Sequence, residues 1–196
     1  MLNLRYSRGF TLIEISIALG LTAILLFLAV PSFTGWIANT KVRSVADALK
    51  NGLLAAQTES VRRGRQTGFV LTNAAPALDA AANANGTNWY IQVAPAAEPD
   101  RFVQGGSFAS LAPGVTITAS DTVICFNSIG RLVASIVADT DLAADCTVPA
   151  VAPFLVTYDV ASTAADRKLR VSVGLGGQIR MCDLNKTLSA ANPDGC

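Results

Sequence analysis

The spacing of apolar residues along the chain changes near Pro31. Residues 15–30 read ISIALGLTAILLFLAV without a charge, and residues 10–33 are apolar or small except for Glu14. A helix of this length reaches about 36 Å at 1.5 Å per residue, which exceeds the roughly 30 Å hydrocarbon core of a bilayer. The pattern therefore predicts a transmembrane helix over residues 10–33, with a kink at Pro31 because proline lacks a backbone N–H.

After Pro31 the apolar positions recur every three or four residues, with charged and polar residues between them. This period is typical of an amphipathic helix that buries one stripe against a sheet. The sequence predicts a helical stem over residues 34–65, with Gly64 as its stop. The expected stripe consists of Val42, Val45, Ala46, Leu49, Leu53 and Ala56.

Beyond the stem, short runs of branched and aromatic residues alternate with turn residues, which is typical of strands. We expect the Ala- and Asn-rich segment 73–88 to be a variable loop. The predicted fold class is α+β, with one long helix packed on an antiparallel sheet and a β-rich globular domain over residues 66–196. The predicted strands span residues 67–72, 89–93, 115–119, 122–126, 132–137, 154–160, 168–173 and 178–182.

Composition argues against catalysis. The chain has no histidine, and 15 Lys and Arg side chains face 14 Asp and Glu. The absence of histidine removes the commonest general base and the commonest zinc ligand. No nucleophile and base pair, phosphate loop or paired-carboxylate motif is visible, so we expect no enzyme, no cofactor and no metal site. Asp139, Asp141 and Asp145 resemble a calcium loop but lack the glycine and terminal glutamate of the EF-hand, which favours a solvated turn.

A short basic segment precedes the apolar run. Residues 1–9 read MLNLRYSRG and carry Arg5 and Arg8 but no acid, which favours a cytoplasmic N-terminus with the rest of the chain outside. A cleaved secretory signal and a permanent signal anchor are the two ordinary interpretations. A secretory signal needs a shorter apolar region and an A-x-A-like site, which residues 30–32 do not supply.

The run G-F-T-L-I-E over residues 9–14 suggests a third interpretation, because it resembles the type IV prepilin signal. The resemblance implies that a prepilin peptidase removes leader residues 1–9 by cutting after Gly9. It also implies that Phe10 is methylated as the new N-terminus and that the apolar helix is retained. Gly9 suits such a cut, since it presents a backbone without a side chain.

Glu14 is costly inside an apolar run, on the order of 2.5 to 3.5 kcal/mol if inserted into a membrane, and so requires a partner. Cleavage would create one, because the Phe10 amine lies four residues upstream on the same helix face. The resemblance implies that this amine belongs to a neighbouring subunit of a filament, which gives Glu14 a role in assembly. The alternative is a capping box in which Thr11 and Glu14 satisfy the helix start.

Four later segments extend the resemblance over most of the chain. They read LLAAQTESVRRG, WYIQV, VICFNSIGRLVAS and RKLRVSVGLGGQIRMCD. In this order they resemble the GspH/FimT family of minor pilins and pseudopilins, which implies a pilin fold and a structural subunit that helps to initiate or cap a type IV pilus. The alternatives within the family are a type II secretion pseudopilin and a FimT-like DNA-binding minor pilin for natural transformation.

The resemblance also implies a location and partners. The chain would cross the inner membrane once, with the globular domain in the periplasm, before extraction into a pilus or pseudopilus. Its partners would be other pilins or pseudopilins, the prepilin peptidase and methyltransferase, and membrane lipid.

The chain has four cysteines, Cys125, Cys146, Cys182 and Cys196, in a domain expected outside the inner membrane, where disulfides persist. Three pairings are possible. We favour Cys125 with Cys146 and Cys182 with Cys196, because the second bridge would pin a tail beside a partner. Each bridge is expected to contribute roughly 2 to 4 kcal/mol.

The final predicted hairpin bears on DNA binding. DNA-binding FimT members carry a G-R-x-R element, whereas residues 177–180 read GQIR, so Gln178 replaces the first arginine. Strand alternation places Lys168, Arg170 and Arg180 on one outward face. Three cations without a stacking aromatic give weak, salt-sensitive phosphate contacts, and this favours a solvated strand face or a contact with a neighbouring pilin over DNA binding.

Overall fold

The computed structural model describes residues 9–94, 97, 99–135, 142–150 and 155–196, without the side chains of residues 28–32. Some predictions lie outside these residues. They concern the leader residues 1–8, the aspartates at 139 and 141, and the end of the predicted strand 132–137. The kink at Pro31 stays a prediction.

One uninterrupted helix, α1 (Leu12–Arg63), forms the N-terminal part of the fold. Thr11 caps its start, and Gly64 ends it in the left-handed conformation with φ 63°. A residue with a Cβ adopts that conformation only with strain, whereas glycine adopts it freely. The predicted end of the helix at Gly64 is therefore confirmed. Within the described residues, no helix combines the length and the hydropathy that a membrane span needs.

The rest of the fold is two antiparallel sheets and one helical turn, α2 (Phe108–Leu111). The first sheet has the strand order β3-β2-β1-β5 and the second has the order β4-β6-β7-β8. The expected α+β class is confirmed, while the single predicted sheet is corrected to two. The strands are β1 (Thr67–Thr72), β2 (Asn88–Val93), β3 (Phe102–Ser107), β4 (Thr116–Ala119), β5 (Val123–Phe126), β6 (Leu155–Ala161), β7 (Leu169–Gly174) and β8 (Ile179–Asp183).

The second half of α1 packs between the two sheets. Its apolar stripe is fully buried and matches the predicted positions, and it contacts the inner faces of both sheets. Phe69 of β1, Ile124 of β5 and Val171 of β7 belong to the same cluster. The apolar stripe of one helix therefore organises the core, as its period predicts.

Gly52 gives two aromatic rings space to pack against α1, although glycine is a poor helix former. A Cβ at this position would lie 2.9 Å from a ring carbon of Phe69 and 3.3 Å from the indole of Trp89. The rings of Phe69 and Trp89 stack at 5.5 Å. The glycine therefore weakens the helix slightly but lets an aromatic pair approach its backbone.

The first sheet is buried on both faces. Val70, Tyr90 and Val123 point away from α1 and pack under Leu142 and the Cys125–Cys146 disulfide. Segment 73–88, predicted as a variable loop, also returns to this sheet, because Tyr90 Oη donates to the Ala80 carbonyl at 2.8 Å. The outer face of the second sheet has no comparable cover among the described residues.

Two strand predictions need correction. The strand predicted over residues 132–137 is reduced, where described, to isolated bridges at Leu132 and Ser135. Strand β3 was not predicted, because its sequence FVQGGS contains two glycines that weaken β-propensity. The strand forms nevertheless, because pairing with β2 outweighs the low β-propensity of the two glycines.

Candidate functional site

The start of α1 contains both candidate assembly residues. Gly9 and Phe10 are exposed ahead of the helix, Phe10 at 82%. A Glu14 carboxylate oxygen accepts from the Thr11 backbone N–H and from its hydroxyl, both at 3.2 Å, and the Thr11 hydroxyl accepts from the Glu14 N–H at 3.3 Å. This is the capping box that the sequence offered as one alternative, and it satisfies Glu14 within its own chain.

The first half of α1 exposes a long apolar surface. A monomeric soluble protein rarely leaves so large a contiguous patch uncovered, so this surface requires a partner of low polarity. The exposed residues are Phe10, Leu12, Ile13, Ile15, Ile17, Leu19, Leu21, Ile24, Leu25, Leu26, Phe27, Phe33, Trp36 and Ile37.

The end of α1 is fixed by an ionic cluster. Glu59 accepts from Arg62 at 2.6 and 2.7 Å and from Arg63 at 2.5 Å. The hydrogen bond from Arg62 lowers the pKa of Glu59 to about 2, with further lowering by Arg63, although burial opposes the shift. Arg63 also donates to the carbonyls of Pro99 and Asp100 at 3.1 Å. Arg63 is largely buried and holds the helix end to the segment before β3.

Gln57 joins both sheets to the helix. Its side-chain amide donates to the carbonyl of Gly130 at 2.7 Å and to that of Gly177 at 2.8 Å. Gly130 lies in the turn after β5, and Gly177 lies in the turn between β7 and β8. Nothing in the local sequence marks this glutamine, because its two acceptors are remote along the chain.

The disulfides join Cys125 to Cys146 and Cys182 to Cys196, which is the sequential pairing. The segment after β8 is also held by backbone hydrogen bonds, from the Asp183 N–H to the Asp194 carbonyl at 2.7 Å and from the Cys196 N–H to the Asp183 carbonyl at 3.2 Å. Pairing along the sequence thus pins this segment beside the second sheet.

The predicted DNA-contacting cations are not equivalent. Arg170 donates to both carboxylate oxygens of Asp159, at 2.6 and 2.8 Å, and this bond raises its pKa. Lys168 and Arg180 are exposed, and no ion pair involves either among the described residues. One of the three cations is therefore neutralised by a neighbouring strand, which weakens the case for phosphate binding.

A groove of about 560 Å³ lies on the outer face of the second sheet, between β6, β7, β8 and the segment after β8. No group of three or more Cys, Asp or Glu side chains suited to a metal occurs in the part of the chain that the structure describes.

Comparison with known proteins identifies the N-terminal motif and the fold. Residues 4–30 match the family model of the prokaryotic N-terminal methylation motif. No curated protein matches the chain significantly. The type IV minor pilin FimU of Pseudomonas aeruginosa has a similar fold, with a TM-score of 0.50 and 17% identity over 72% of this chain and 88% of that one. The minor pseudopilin EpsH from the type 2 secretion system of Vibrio cholerae gives a TM-score of 0.46 and 12% identity over 73% of this chain and 97% of that one.

The motif and the fold agree with each other. The motif comprises the basic leader, Gly9, Phe10 and most of the apolar run, and the helix that it begins packs on antiparallel sheets as in FimU. The chain therefore joins a prokaryotic N-terminal methylation motif to a fold similar to that of the minor pilin FimU.

Proposed function

We propose that the chain is a minor pilin, a structural subunit that helps to initiate or cap assembly of a type IV pilus. The observation that carries the proposal is the methylation motif at residues 4–30 in front of a pilin fold. The exposed apolar half of α1 supports it, because a filament of packed helices would cover that surface. The role is structural rather than enzymatic.

The proposal includes a processing and localisation sequence. Before assembly, residues 10–33 anchor the chain in the inner membrane with residues 66–196 in the periplasm, and the peptidase cuts between Gly9 and Phe10. Lipid covers the apolar half of α1 in this state, and neighbouring subunits replace lipid on extraction into the filament. Intact mass of the purified protein tests the first step. Loss of residues 1–9 with a methylated N-terminus is expected, and a full-length chain or a cut after residue 30 contradicts it.

A deletion strain of the encoding prokaryote tests the function. Surface piliation, twitching, protein secretion and DNA uptake are measured side by side, with the wild-type gene returned as the control. Loss of piliation and twitching with intact secretion supports the minor pilin role. Loss of secretion alone instead assigns a type II secretion pseudopilin, and loss of DNA uptake alone assigns a DNA-binding minor pilin.

A further inference from the structure

Loop 162–168, which joins β6 to β7, packs against α1 at the boundary between the two halves of the helix. The Arg167 backbone N–H donates to the side-chain oxygen of Asn39 at 3.0 Å. A Cβ at Gly35 would lie 3.9 Å from a carboxylate oxygen of Asp166, so the loop also lies beside that turn of the helix. The loop therefore meets α1 at the end of the globular domain that adjoins the exposed apolar half.

The globular domain follows directly on the apolar half of α1, because one uninterrupted helix runs through both. Burial of the helix begins at Ala38, which is 6% exposed. The loop is also held from its other side. Asn185 Nδ2 donates to the Asp166 carbonyl at 2.5 Å, and the Leu184 N–H donates to the Lys168 carbonyl at 3.0 Å. The position of the loop along α1 is therefore fixed by contacts on two sides.

The length of α1 places this loop at the surface of a bilayer. In the proposed membrane stage, on which this inference rests, residues 10–33 cross the hydrocarbon core. The headgroup layer on each side of that core is about 5 to 8 Å thick, which corresponds to about three to five helical residues. Residues 34–38 therefore lie among the headgroups, and the loop that contacts Gly35 and Asn39 lies at the same depth.

The exposed side chains at this depth have the chemistry of a membrane interface. Trp36 is 66% exposed, and tryptophan is enriched where its ring meets hydrocarbon and its N–H meets water. Lys41 and Lys168 are exposed and form no ion pair with any residue that the structure describes. Lysine side chains near a membrane surface are attracted to anionic phospholipids.

The other described charged groups at this end neutralise each other, except for Asp166. The pairs are Arg43 with Asp47 at 3.5 Å, Arg167 with Asp183 at 2.9 Å, and Lys186 with Asp194 at 2.6 Å. The two lysines outside these pairs thus outnumber the single acid of the loop. The small excess of positive charge favours an anionic lipid surface.

We propose that the globular domain rests on the periplasmic surface of the inner membrane through loop 162–168. Lys41 and Lys168 contact the phosphate groups of anionic phospholipids, and Trp36 lies at the boundary between headgroups and hydrocarbon. A lipid surface is favoured over a second protein as the partner, because the continuous helix brings the loop to the bilayer without any further binding event. These contacts orient the domain before extraction into the filament.

The test uses the full chain reconstituted into vesicles of phosphatidylcholine, or of equal parts of phosphatidylcholine and phosphatidylglycerol. Flotation of the vesicles on a density gradient first tests the membrane stage. A chain that does not float contradicts both the proposed anchor and this inference. A chain that floats but fails the measurements that follow contradicts this inference alone.

Acylation of the lysine amines, resolved by peptide mass spectrometry, reports how close each lysine lies to the membrane. The negative potential of an anionic surface lowers the fraction of neutral amine, so Lys168 is expected to react about fivefold more slowly in the anionic vesicles. Lys50 is the control, because it lies about 17 Å beyond Asn39 along the helix, farther than the Debye length of about 10 Å. An unchanged ratio of the two rates between the vesicles overturns the proposal.

Trp36 gives an independent measurement. Brominated phosphatidylcholine quenches indole fluorescence on contact, so Trp36 is expected to be quenched. Trp89 stacks on Phe69 in the core and is expected to keep its emission. Trp36→Phe leaves Trp89 as the control and should abolish the quenching. Absent quenching, or the same quenching without Trp36, overturns the proposal.

Two variants separate contact by the loop from a general attraction of the domain to anionic lipid. Amide hydrogen exchange in loop 162–168 is expected to be slower in the anionic vesicles, and Lys168→Gln should remove that difference. Arg131→Gln removes an equal charge from an exposed position beside Gly130, whose carbonyl accepts from Gln57 near the far end of α1, and should keep it. An equal loss in both variants overturns the proposal, as does a difference that persists in Lys168→Gln.

Discussion

The two halves of α1 belong to one helix but have opposite environments. From residue 10 to residue 27 nearly every large apolar side chain is exposed, whereas from Val42 to Ala56 the apolar stripe is fully buried between two sheets. The second half is amphipathic, and its partner lies within its own chain. The first half is apolar around most of its circumference, so it has no polar face to leave in water while an apolar face packs against a sheet.

This difference separates folding from assembly. Burial of the second half stabilises the globular domain, since that is where α1 leaves water. The first half leaves water only when another phase or another molecule covers it. Substitutions in the two halves are therefore expected to act on different properties, the second half on stability and the first half on assembly.

The largest expected effect comes from the buried stripe. Leu53 is fully buried, and Leu53→Ala is expected to lower the free energy of unfolding by about 2 to 5 kcal/mol, through lost transfer energy and the cavity left behind. The matched change Leu25→Ala, at a side chain that is 68% exposed, is expected to leave the unfolding of the globular domain unchanged. Thermal unfolding followed by near-UV circular dichroism measures both. Equal losses would show that the first half also belongs to the folded core.

Glu59 sharpens the comparison at the far end of the buried half. Its folded pKa of about 2 lies below the usual value of 4.5, so its contribution is fully present above pH 4.5 and is lost as the pH falls through 2. Glu59→Gln is expected to lower the free energy of unfolding by on the order of 2 kcal/mol at pH 7. This is less than the pKa shift alone corresponds to, because Arg62 is largely exposed and water screens its charge. The difference from wild type should shrink as the pH falls from 4.5 to 2.

The matched control for Glu59 is Asp47→Asn on the same helix. Asp47 pairs with Arg43 at 3.5 Å, and both side chains are exposed, so the expected change is a few tenths of a kcal/mol. Urea unfolding across the pH range measures both variants. A pH-independent loss for Glu59→Gln would show that packing, rather than the ion pair, is the cause.

Gln57 tests whether one helix position holds both sheets. Gln57→Ala removes two hydrogen bonds to backbone carbonyls and is expected to cost about 1 to 2 kcal/mol. Faster amide hydrogen exchange should appear in the turns at Gly130 and Gly177. Thr58→Ala is the control, since the Thr58 hydroxyl bonds only to the Leu54 carbonyl of its own helix. If exchange rises in one turn only, the two sheets are not joined through this side chain.

The smallest effect on stability is expected at Glu14, in the exposed half. Glu14→Ala should leave the unfolding of the globular domain unchanged and still allow insertion and cleavage, while incorporation into filaments falls. Thr11→Ala separates the two explanations, because it breaks the capping box but keeps the carboxylate. Filament incorporation measured by immunoblot decides between them. If Thr11→Ala and Glu14→Ala reduce it equally, capping rather than pairing with the Phe10 amine explains the requirement.

The second sheet shows where prediction from sequence ends. Alternation correctly placed Arg170 and Arg180 on one outward face, because that periodicity is a local property of the strand. It could not reveal that Asp159, on another strand, neutralises Arg170, whereas Arg180 has no ion pair with any residue that the structure describes. The register between β6 and β7 makes that difference, and register is set by the packing of the whole sheet.

The sequence by itself determined the features that depend on near neighbours. The motif over residues 9–14, the apolar period of α1 and its stop at Gly64 are all readable within a few turns of helix, because capping and amphipathicity are local. Tertiary structure alone decided that there are two sheets, that β3 forms despite its glycines, and that Gln57 joins turns 73 and 120 residues away along the chain. Contacts at such separations depend on how the strands pair and pack around α1, and no local pattern of residues encodes that arrangement.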